Sequence, residues 1–420
     1  MTIAPAVQRR LTCRLCMSKN LKLVFQLPPT PAANNFARSR VEAMQLPKFP
    51  LEVNHCVSCG HFQLAHVVDP SYLFSNYAYT TGSSPALRTH FADLAKAVVG
   101  EARTPRPNGF HSSTPFVLEI GSNDGTFLGE VVKLGCPVIG IEPAANLAAQ
   151  ANDREIRTWN NFFDAKIAQE VQHKFGAIDA WVATNVLAHI DNLIETLSAL
   201  RLCSKPSTIG CVEVQYMGDL LAGGLFDMVY HEHLDYHSGK SFGAALARQG
   251  WNVTRIERVP THGGSLRFWV RRGGEYDAGL NEQVVRDEST RDWVREWELL
   301  NGKVETVGAL LRQQLNPYYR VLCYGAPAKL TTLMYGLKLV RPSDDEYLRF
   351  IGVIDDAPSK QWRFAPGTGI PVLPATVLRD EAYKPDAILI TAWNYAEGIT
   401  KRIRDTGYTG PIIVPFGDSK

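Results

Sequence analysis

The sequence of 420 residues has almost no excess of charge of either sign, with 44 lysines and arginines against 42 aspartates and glutamates. The net charge of +2 argues against nucleic acid as the main partner. The sequence also lacks an uninterrupted apolar run of the roughly 18–20 residues that a membrane helix needs. Its start carries Arg9 and Arg10 but no apolar core of a secretory signal. These absences exclude a disordered scaffold, a membrane protein and a small disulfide-stapled secreted domain.

Cysteine is also sparse, and half of the eight cysteines are concentrated near the start of the chain. Two Cys-x-x-Cys pairs there have the spacing of a tetrahedral zinc site with no open position for catalysis. A disulfide or redox pair and free thiols are the alternatives, and His55 or His61 could replace a ligand. We expect the remaining cysteines to be buried, reduced thiols of a cytoplasmic protein. The expected ligands of a structural zinc are Cys13, Cys16, Cys56 and Cys59.

The length favours two or three domains, and the pattern of apolar segments divides the chain into three parts. Residues 1–75 contain the paired cysteines and short strands. Residues 76–274 alternate short apolar strands with amphipathic helices and end in a strand pair, a pattern that predicts a parallel α/β sheet. Residues 275–420 begin with a long charged helix, from about Ala278 to Leu315, and continue with a second α/β unit. The predicted fold class is therefore α/β with a small cysteine-bearing domain in front.

A glycine-rich turn follows the first predicted strand of the central part. Its glycines let the backbone approach a ligand closely, and the helix that follows offers its N-terminus. An acidic residue two positions before the first glycine is typical of a site for S-adenosylmethionine, which has no diphosphate to cradle. NAD and a simple strand–helix turn are the alternatives. The expected cofactor contacts are Glu119, Gly121, Asn123, Asp124 and Gly125, with Glu142 for the ribose and Asn185 after the third strand.

Titratable side chains are densest in the segment from Tyr230 to His237. A histidine there could act as an acid or base, since its pKa lies near neutrality. A metal site that uses His233 and His237 as a helical pair, and a hydrogen-bonded polar core, are the alternatives. Spacing alone does not choose among His231, His233 and His237. His189, just beyond the third strand, either faces the substrate or packs in the core.

In combination and in order, these segments resemble the S-adenosylmethionine-dependent nucleotide-sugar C-methyltransferases that make branched deoxysugars. The resemblance extends over nearly the whole chain and includes the paired cysteines, the glycine-rich turn and the histidine-rich segment. It continues through three further kinds of segment: a proline-bounded stretch, a Gly-Gly stretch and the polar strand ends of the last part. These are Pro31–Phe36, His262–Arg267, Tyr324–Lys329 and Trp393–Tyr395.

The resemblance implies a zinc-binding domain, a central class I methyltransferase domain and a C-terminal Rossmann-like domain, with the nucleotide-sugar between the last two. A 4-keto sugar would lose the proton next to its ketone, and the enolate would attack the methyl group of S-adenosylmethionine. The family's base matches His233, and its neighbours in the site match Tyr230 and Glu232. Residues that face the sugar match Tyr79 and His189. The implied substrate contacts of the last domain are Tyr324, Lys329, Asn394 and Tyr395, with Lys329 suited to a diphosphate.

Several alternatives stay open at this point. The resemblance favours C-3 methylation and a deoxythymidine diphosphate carrier, but C-5 also adjoins the ketone and guanosine diphosphate is a second carrier. An NAD-dependent nucleotide-sugar oxidoreductase or isomerase is disfavoured by the form of the glycine-rich turn. A non-enzymatic zinc protein is disfavoured by the intact His231-Glu232-His233 cluster.

Overall fold

The computed structural model describes residues 5–104, 112–272, 282–340 and 349–416. Within these ranges the chain has three parts, each built around its own main sheet. The boundary predicted between residues 274 and 275 lies outside the described residues. No helix in the described ranges combines the length and the apolar character that crossing a membrane requires.

The N-terminal part is a small β-structure with two short helices. In its third strand Phe49, Leu51 and Val53 alternate with less buried side chains, so one face of the strand enters the core. Its elements are β1 (Val7–Arg9), β2 (Leu21–Thr30), α1 (Arg40–Gln45), β3 (Phe49–Cys56), β4 (Phe62–Leu64), β5 (His66–Val68) and α2 (Pro70–Phe74).

The central part alternates helices and strands as the sequence predicts. Its first helix begins at Pro85, whose fixed φ suits a first helical turn, and the Ser84 hydroxyl accepts a hydrogen bond from the Leu87 amide. The elements are α3 (Pro85–Arg103), β6 (Val117–Ile120), α4 (Thr126–Lys133), β7 (Val138–Ile141), α5 (Ala145–Asp153), β8 (Thr158–Trp159), α6 (Ala165–Phe175), β9 (Ile178–Thr184), α7 (Leu193–Leu200), β10 (Ser204–Gln215), α8 (Met217–Gly223), β11 (Asp235–Tyr236), α9 (Gly239–Arg248), β12 (Trp251–Val259) and β13 (Ser265–Arg272).

The central sheet has seven strands in the order β12-β13-β10-β9-β6-β7-β8. β13 runs antiparallel to both neighbours, and the other strand pairs are parallel. The order reverses direction between β6 and β9, so a crevice opens beyond the carboxyl ends of these two strands. The glycine-rich turn follows β6 and Asn185 follows β9, which places both at this crevice.

The strand β11 does not join the central sheet. It pairs antiparallel with β4, and the N-terminal sheet therefore has the order β11-β4-β3-β2. The last residues of the histidine-rich segment thus complete the sheet of the cysteine-bearing part. This sharing was not expected from the sequence, because two residues give no strand signal.

The C-terminal part is a second α/β unit with five parallel strands in the order β16-β15-β14-β17-β18. Its strand ends meet at one edge, where the polar segments predicted from the sequence lie. The elements are α10 (Glu282–Ser289), α11 (Trp293–Leu315), β14 (Val321–Tyr324), α12 (Leu330–Gly336), β15 (Phe350–Ile354), β16 (Val372–Leu373), β17 (Ala387–Ile390), α13 (Ala396–Asp405) and β18 (Ile412–Ile413).

The long charged helix predicted to run from about Ala278 to Leu315 starts outside the described residues, and its prediction as one continuous helix is wrong. The described helix is interrupted between α10 and α11, where the Asp292 side chain caps the second helix. On α11, Trp297 is fully buried and its ring lies 5.2 Å from that of Phe25 in β2. One face of α11 packs against the N-terminal sheet, and this apolar contact joins the first and last parts.

Candidate active site and zinc site

The four paired cysteines come together at the end of the N-terminal sheet. Their sulfur atoms all lie within 4.8 Å of one another, and the pairs Cys13–Cys59 and Cys16–Cys56 are 3.6 Å apart. Tetrahedral ligands with Zn–S bonds of about 2.3 Å have sulfurs about 3.8 Å apart, whereas a disulfide requires about 2.05 Å. The thiols therefore fit zinc, and none forms a disulfide.

The two cysteine pairs are built as tight turns. Met17 and Gly60 take positive φ after the second cysteine of each pair, and their amides donate to the carbonyl oxygens of Cys13 and Cys56. Crowding by Cys59 and burial raise the pKa of Cys13, which a bound cation would reverse. His55 and His61 are not in the cluster, and His61 Nε2 instead lies 2.7 Å from Asp235 Oδ1. The scattered cysteines are buried, as predicted; they are Cys136, Cys203, Cys211 and Cys323.

The glycine-rich turn between β6 and α4 has the backbone that close approach to a ligand requires. Gly121 and Gly125 have φ of +65° and +74°, and Asn123 has φ of +51°. Glu142, at the end of β7, accepts hydrogen bonds from the amides of Asn123 and Ala144, each at 2.8 Å. A side chain at Gly121 would first meet Val186 Cγ2, 2.6 Å from an added Cβ. A larger residue at position 121 would therefore clash first with the Val186 side chain.

Three carboxyl groups surround this turn. Glu119, Asp124 and Glu142 are almost completely buried, and one oxygen of Glu119 has no hydrogen-bond partner among the described residues. Burial and the charges of the other two carboxylates raise the pKa of Glu119 well above its ordinary value. A cationic ligand relieves this repulsion and a diphosphate increases it. The turn is therefore suited to the sulfonium and ammonium groups of S-adenosylmethionine and unsuited to NAD.

A loop from Ser75 to Ser83 covers the turn and is tied to it. The Asn123 side chain accepts from the Thr81 amide at 2.9 Å and donates to the Tyr79 carbonyl oxygen at 3.2 Å. The Gly82 amide donates to Asp124 Oδ2 at 3.0 Å. Asn123 and Asp124 thus hold the loop through their side chains.

Two of the predicted histidines meet beside this crevice. The ring centroids of His189 and His233 are 5.1 Å apart. Burial, with a contribution from nearby His262, lowers the pKa of His189 to about 4. Burial and His189 lower the pKa of His233 well below its ordinary value. Both rings are therefore neutral at neutral pH, the state in which an imidazole can accept a proton.

The tautomer of His233 follows from its partners. Nδ1 lies 2.9 Å from the Met228 carbonyl oxygen, which can only accept, so Nδ1 carries the hydrogen. Nε2 lies 2.8 Å from Tyr230 Oη and accepts its hydrogen. Burial and the charge of Glu232 raise the pKa of Tyr230, which keeps the phenol protonated. The lone pair of His233 Nε2 and the Tyr230 hydroxyl form one acid–base unit.

Glu232 forms a second unit with two residues that the sequence analysis did not select. Tyr77 Oη donates to Glu232 Oε2 at 2.5 Å, and Asn34 Nδ2 donates to Oε1 at 2.8 Å. Burial raises the pKa of Glu232 to about 7, although both hydrogen bonds oppose this rise. Asn34 lies inside the proline-bounded segment and Tyr77 two residues before Tyr79, so proximity to quoted motifs was the available signal.

The other two histidines of the segment lie elsewhere. His231 Nε2 lies 3.1 Å from the Phe49 carbonyl oxygen, and burial lowers the pKa of this histidine to about 4. His237 is fully buried against Phe242, with ring centroids 4.3 Å apart. The helical pair of His233 and His237 considered from the sequence is wrong, because a turn and the strand β11 replace the helix. Asn185 follows β9 with φ of +54°.

The C-terminal part contributes polar residues to the same region. Tyr79 is half-buried, and burial raises its pKa to about 12, with a contribution from the hydroxyl of Tyr395. Tyr395 itself is 69% exposed. Lys329 pairs with the buried Asp227 of the central part at 3.2 Å and hydrogen bonds to Asn394. The charge of Lys329 is therefore compensated from the central part.

Tyr324 ends β14 and differs from the other predicted substrate contacts. It is 4% exposed and packs in the core of the C-terminal sheet. Burial raises the pKa of its phenol, and the guanidinium of Arg402 lies 5.7 Å from its ring. Its place at the strand end is as predicted, but most of its surface serves packing.

Comparisons with known proteins were made once this geometry was in hand. Three family models match successive segments: a zinc binding domain over residues 13–74, a methyltransferase domain over residues 93–256, and a C-methyltransferase C-terminal domain over residues 260–416. The C-methyltransferase NovU of Streptomyces niveus is 28% identical over 419 residues, which cover 97% of this chain and 96% of that protein. These matches confirm the resemblance to C-methyltransferases, the α/β fold, and the zinc and S-adenosylmethionine assignments.

Solved structures show weaker likeness. The magnesium protoporphyrin IX methyltransferase of Synechocystis, with bound SAM, is 13% identical and matches 44% of this chain and 79% of its own, with a TM-score of 0.33. The PH0226 protein of Pyrococcus horikoshii is 13% identical and matches 48% of this chain and 98% of its own, with a TM-score of 0.37.

Proposed function

We propose that this chain, which belongs to the S-adenosylmethionine-dependent C-methyltransferases, methylates C-3 of a nucleotide-linked 4-keto-deoxysugar through an enolate. The observation that supports this most directly is the neutral Tyr230–His233 unit beside the cofactor turn. Forming a carbon nucleophile requires a base that is unprotonated and held in place, and the Met228 carbonyl oxygen holds this imidazole.

When the ketone is bound, the Tyr230 hydrogen turns from His233 Nε2 to the ketone oxygen, which frees the lone pair of Nε2. Nε2 then removes the proton from the carbon next to the ketone, and the electron pair of the C–H bond moves into the enolate. The Tyr230 hydroxyl stabilises the oxyanion, and protonated Nε2 donates to Tyr230 Oη. His189, neutral and 5.1 Å from His233 between ring centroids, lines the sugar side of the unit. Tyr79 and Glu232 line the same space for the sugar, and Glu232 orients Tyr77 and Asn34 through hydrogen bonds.

S-adenosylmethionine, when bound, supplies an electrophilic methyl group on a sulfonium. Glu119, Gly121, Asn123, Asp124 and Gly125 would form the wall of its site, Glu142 would bind its ribose, and Asn185 would contact its methionine part. The expected role of the protein in the transfer is placement of the enolate carbon in line with the methyl group. The zinc held by the four cysteines is structural, because its ligand set leaves no open position.

The substrate class rests on the C-terminal part. A parallel sheet whose strand ends carry Tyr324, Lys329, Asn394 and Tyr395 is suited to a nucleotide, and the cleft beside Tyr79 is suited to the attached sugar. We expect Lys329 to exchange Asp227 for the diphosphate when substrate binds. Deoxythymidine diphosphate is the proposed carrier, and the domain division proposed is 1–75, 76–274 and 275–420.

The proposal is tested with a panel of 4-keto nucleotide-sugars carried on deoxythymidine or guanosine diphosphate. Each is incubated with S-adenosylmethionine, and products are analysed by mass spectrometry and their carbon positions by NMR. A gain of one methyl group at C-3 supports the proposal. Methylation at C-5, or reduction of added NAD without methylation, contradicts it.

A further inference from the structure

We infer that Arg14 is a positioning residue that joins the zinc knuckle to the two chain segments carrying His189 and His233. The inference rests on the proposed function only in giving these two histidines a role in the reaction. Arg14 lies between the zinc ligands Cys13 and Cys16, yet its side chain points into the protein and is completely buried.

The guanidinium of Arg14 contacts both histidine-bearing segments. Nε donates to Asp191 Oδ1 at 2.9 Å, and Nη1 donates to the Leu234 carbonyl oxygen at 3.2 Å. Nη1 also lies 4.0 Å from Asp235 Oδ1. Asp191 follows His189 by two residues, and Asp235 follows His233 by two residues. One side chain therefore reaches the same relative position after each histidine.

The two segments are also linked to each other directly. The Leu234 amide donates to the Ala188 carbonyl oxygen at 2.7 Å. Arg14 adds a second link between the two segments, because it contacts the chain shortly after each histidine, at Asp191 and at Leu234. Its third hydrogen-bond acceptor is the Leu64 carbonyl oxygen at 2.8 Å, in the strand β4 that pairs with β11. A displacement of Arg14 would therefore change the spacing of the two rings.

Electrostatics give the guanidinium a partner in each segment. Asp235 is fully buried, and although burial alone would raise its pKa, the charge of Arg14 and the hydrogen bond from His61 lower it. Asp191 is shared with Arg10, whose Nη1 lies 2.9 Å from its second oxygen. Of the two histidine-bearing segments, the contacts of Arg10 reach the one that contains Asp191, whereas those of Arg14 reach both. The planar, fork-shaped guanidinium can meet these acceptors at once, which a lysine ammonium cannot.

The zinc knuckle fixes the backbone from which Arg14 extends. Cys13 and Cys16 flank it, and its own amide donates to Gln63 Oε1 at 2.7 Å. Arg248 holds the outer side of the same knuckle by donating to the Leu15 carbonyl oxygen at 3.1 Å. Arg248 contacts neither histidine-bearing segment through this bond. It therefore provides a control: an exposed arginine bound to the same knuckle.

The test compares Arg14→Met, Arg14→Lys and Arg248→Met as full-length, zinc-loaded enzymes. A misplacement of catalytic groups by about 1 Å can cost about 100-fold in rate, so we expect kcat for Arg14→Met to fall on that scale. Zinc content and the calorimetric Kd for S-adenosylmethionine should stay at wild-type values. Arg14→Lys should recover part of kcat, and Arg248→Met should match the wild type.

A substrate-independent readout separates this inference from the proposed function. In protein labelled with ¹⁵N-histidine, Arg14→Met should move the ring signals of His189 and His233 among the eleven histidines, and Arg248→Met should move neither. If wild-type enzyme methylates no 4-keto sugar but these signals move, the function is wrong and the positioning role stands. Unchanged signals overturn the positioning role, as does a kcat loss that follows zinc loss.

Should Arg14→Met fail to fold, Asp191→Asn provides the test from the other side. Asp191 is partly exposed, so its neutralisation leaves the buried guanidinium in place. We expect the His189 signal to move and kcat to fall. A wild-type His189 signal and kcat in Asp191→Asn would overturn the inference.

Discussion

The most direct test of the mechanism is His233→Ala, because this change removes the imidazole assigned as the base. Nδ1 is engaged with the Met228 carbonyl oxygen, so only Nε2 can take a proton. A positioned general base contributes roughly 10²- to 10⁴-fold to rate. Since the ring contacts no residue assigned to the cofactor turn, binding of S-adenosylmethionine should be unaffected. We therefore expect turnover to fall within that range at unchanged cofactor affinity.

Proton removal can be measured apart from methyl transfer. Wild-type enzyme with S-adenosylhomocysteine should exchange the hydrogen next to the sugar ketone with deuterated solvent, and NMR follows the loss of the proton signal. His233→Ala should not exchange it. Tyr230→Phe keeps the imidazole but removes its hydrogen-bond donor, so it should exchange slowly and show how much the pair acts together. Exchange at the wild-type rate in His233→Ala would refute the assignment, and loss in His231→Ala alone would move the base to that residue.

Three further predictions follow from the site. Cys56→Ser removes one of four zinc ligands, so elemental analysis should show less than one zinc per chain and calorimetry should show a lower Tm. A full equivalent of zinc in this variant would contradict the four-cysteine site. Glu142→Ala removes acceptors worth roughly 1.5–3 kcal/mol each, and titration calorimetry should show S-adenosylmethionine binding weakened by about tenfold or more, with tight binding excluding the ribose role. Because burial raises the pKa of Glu232 to about 7, ionisation of this carboxyl should appear as a limb near neutrality in the pH profile of kcat/KM. Tyr77→Phe removes a hydrogen bond to the ionised carboxylate, so it should raise the pKa of Glu232 and move that limb to higher pH. A limb that does not move would belong to another group.

The sequence predicted the parts of the fold that local patterns encode. Short apolar strands that end in polar residues identified β6, β7, β9 and β10, and the cysteine spacing identified the zinc site, because each signal lies within a few residues. The interruption before α11 was missed, since charge spacing alone does not show that Asp292 caps a new helix. The burial of Trp297 was missed because its partner Phe25 is more than 250 residues away in the chain.

The choice among three histidines illustrates the limit for the site. His231, His233 and His237 are separated by even numbers of positions, so a continuous strand would place their side chains on one face. The turn at Tyr230, where the His233 amide donates to the Tyr230 carbonyl oxygen, breaks that pattern. His233 then turns toward His189, while His231 and His237 enter the core around the N-terminal sheet. The turn and the pairing of β11 with β4 together make this difference, and the pairing is a long-range contact that no local signal carries.

The segment that carries His233 is in contact with both the N-terminal and the C-terminal part of the chain. The segment from Asp227 to Asp235 is held at its start by Lys329 and Trp393 of the C-terminal part, and at its end by Arg14 of the zinc knuckle. Between these two anchors lie the Met228 carbonyl oxygen, Tyr230, Glu232 and His233. A short segment without helix or long strand has little stability of its own, so its geometry depends on both anchors. We therefore expect loss of zinc and the proposed exchange of Asp227 for a diphosphate at Lys329 to act on the same imidazole, from opposite ends of one short stretch of chain.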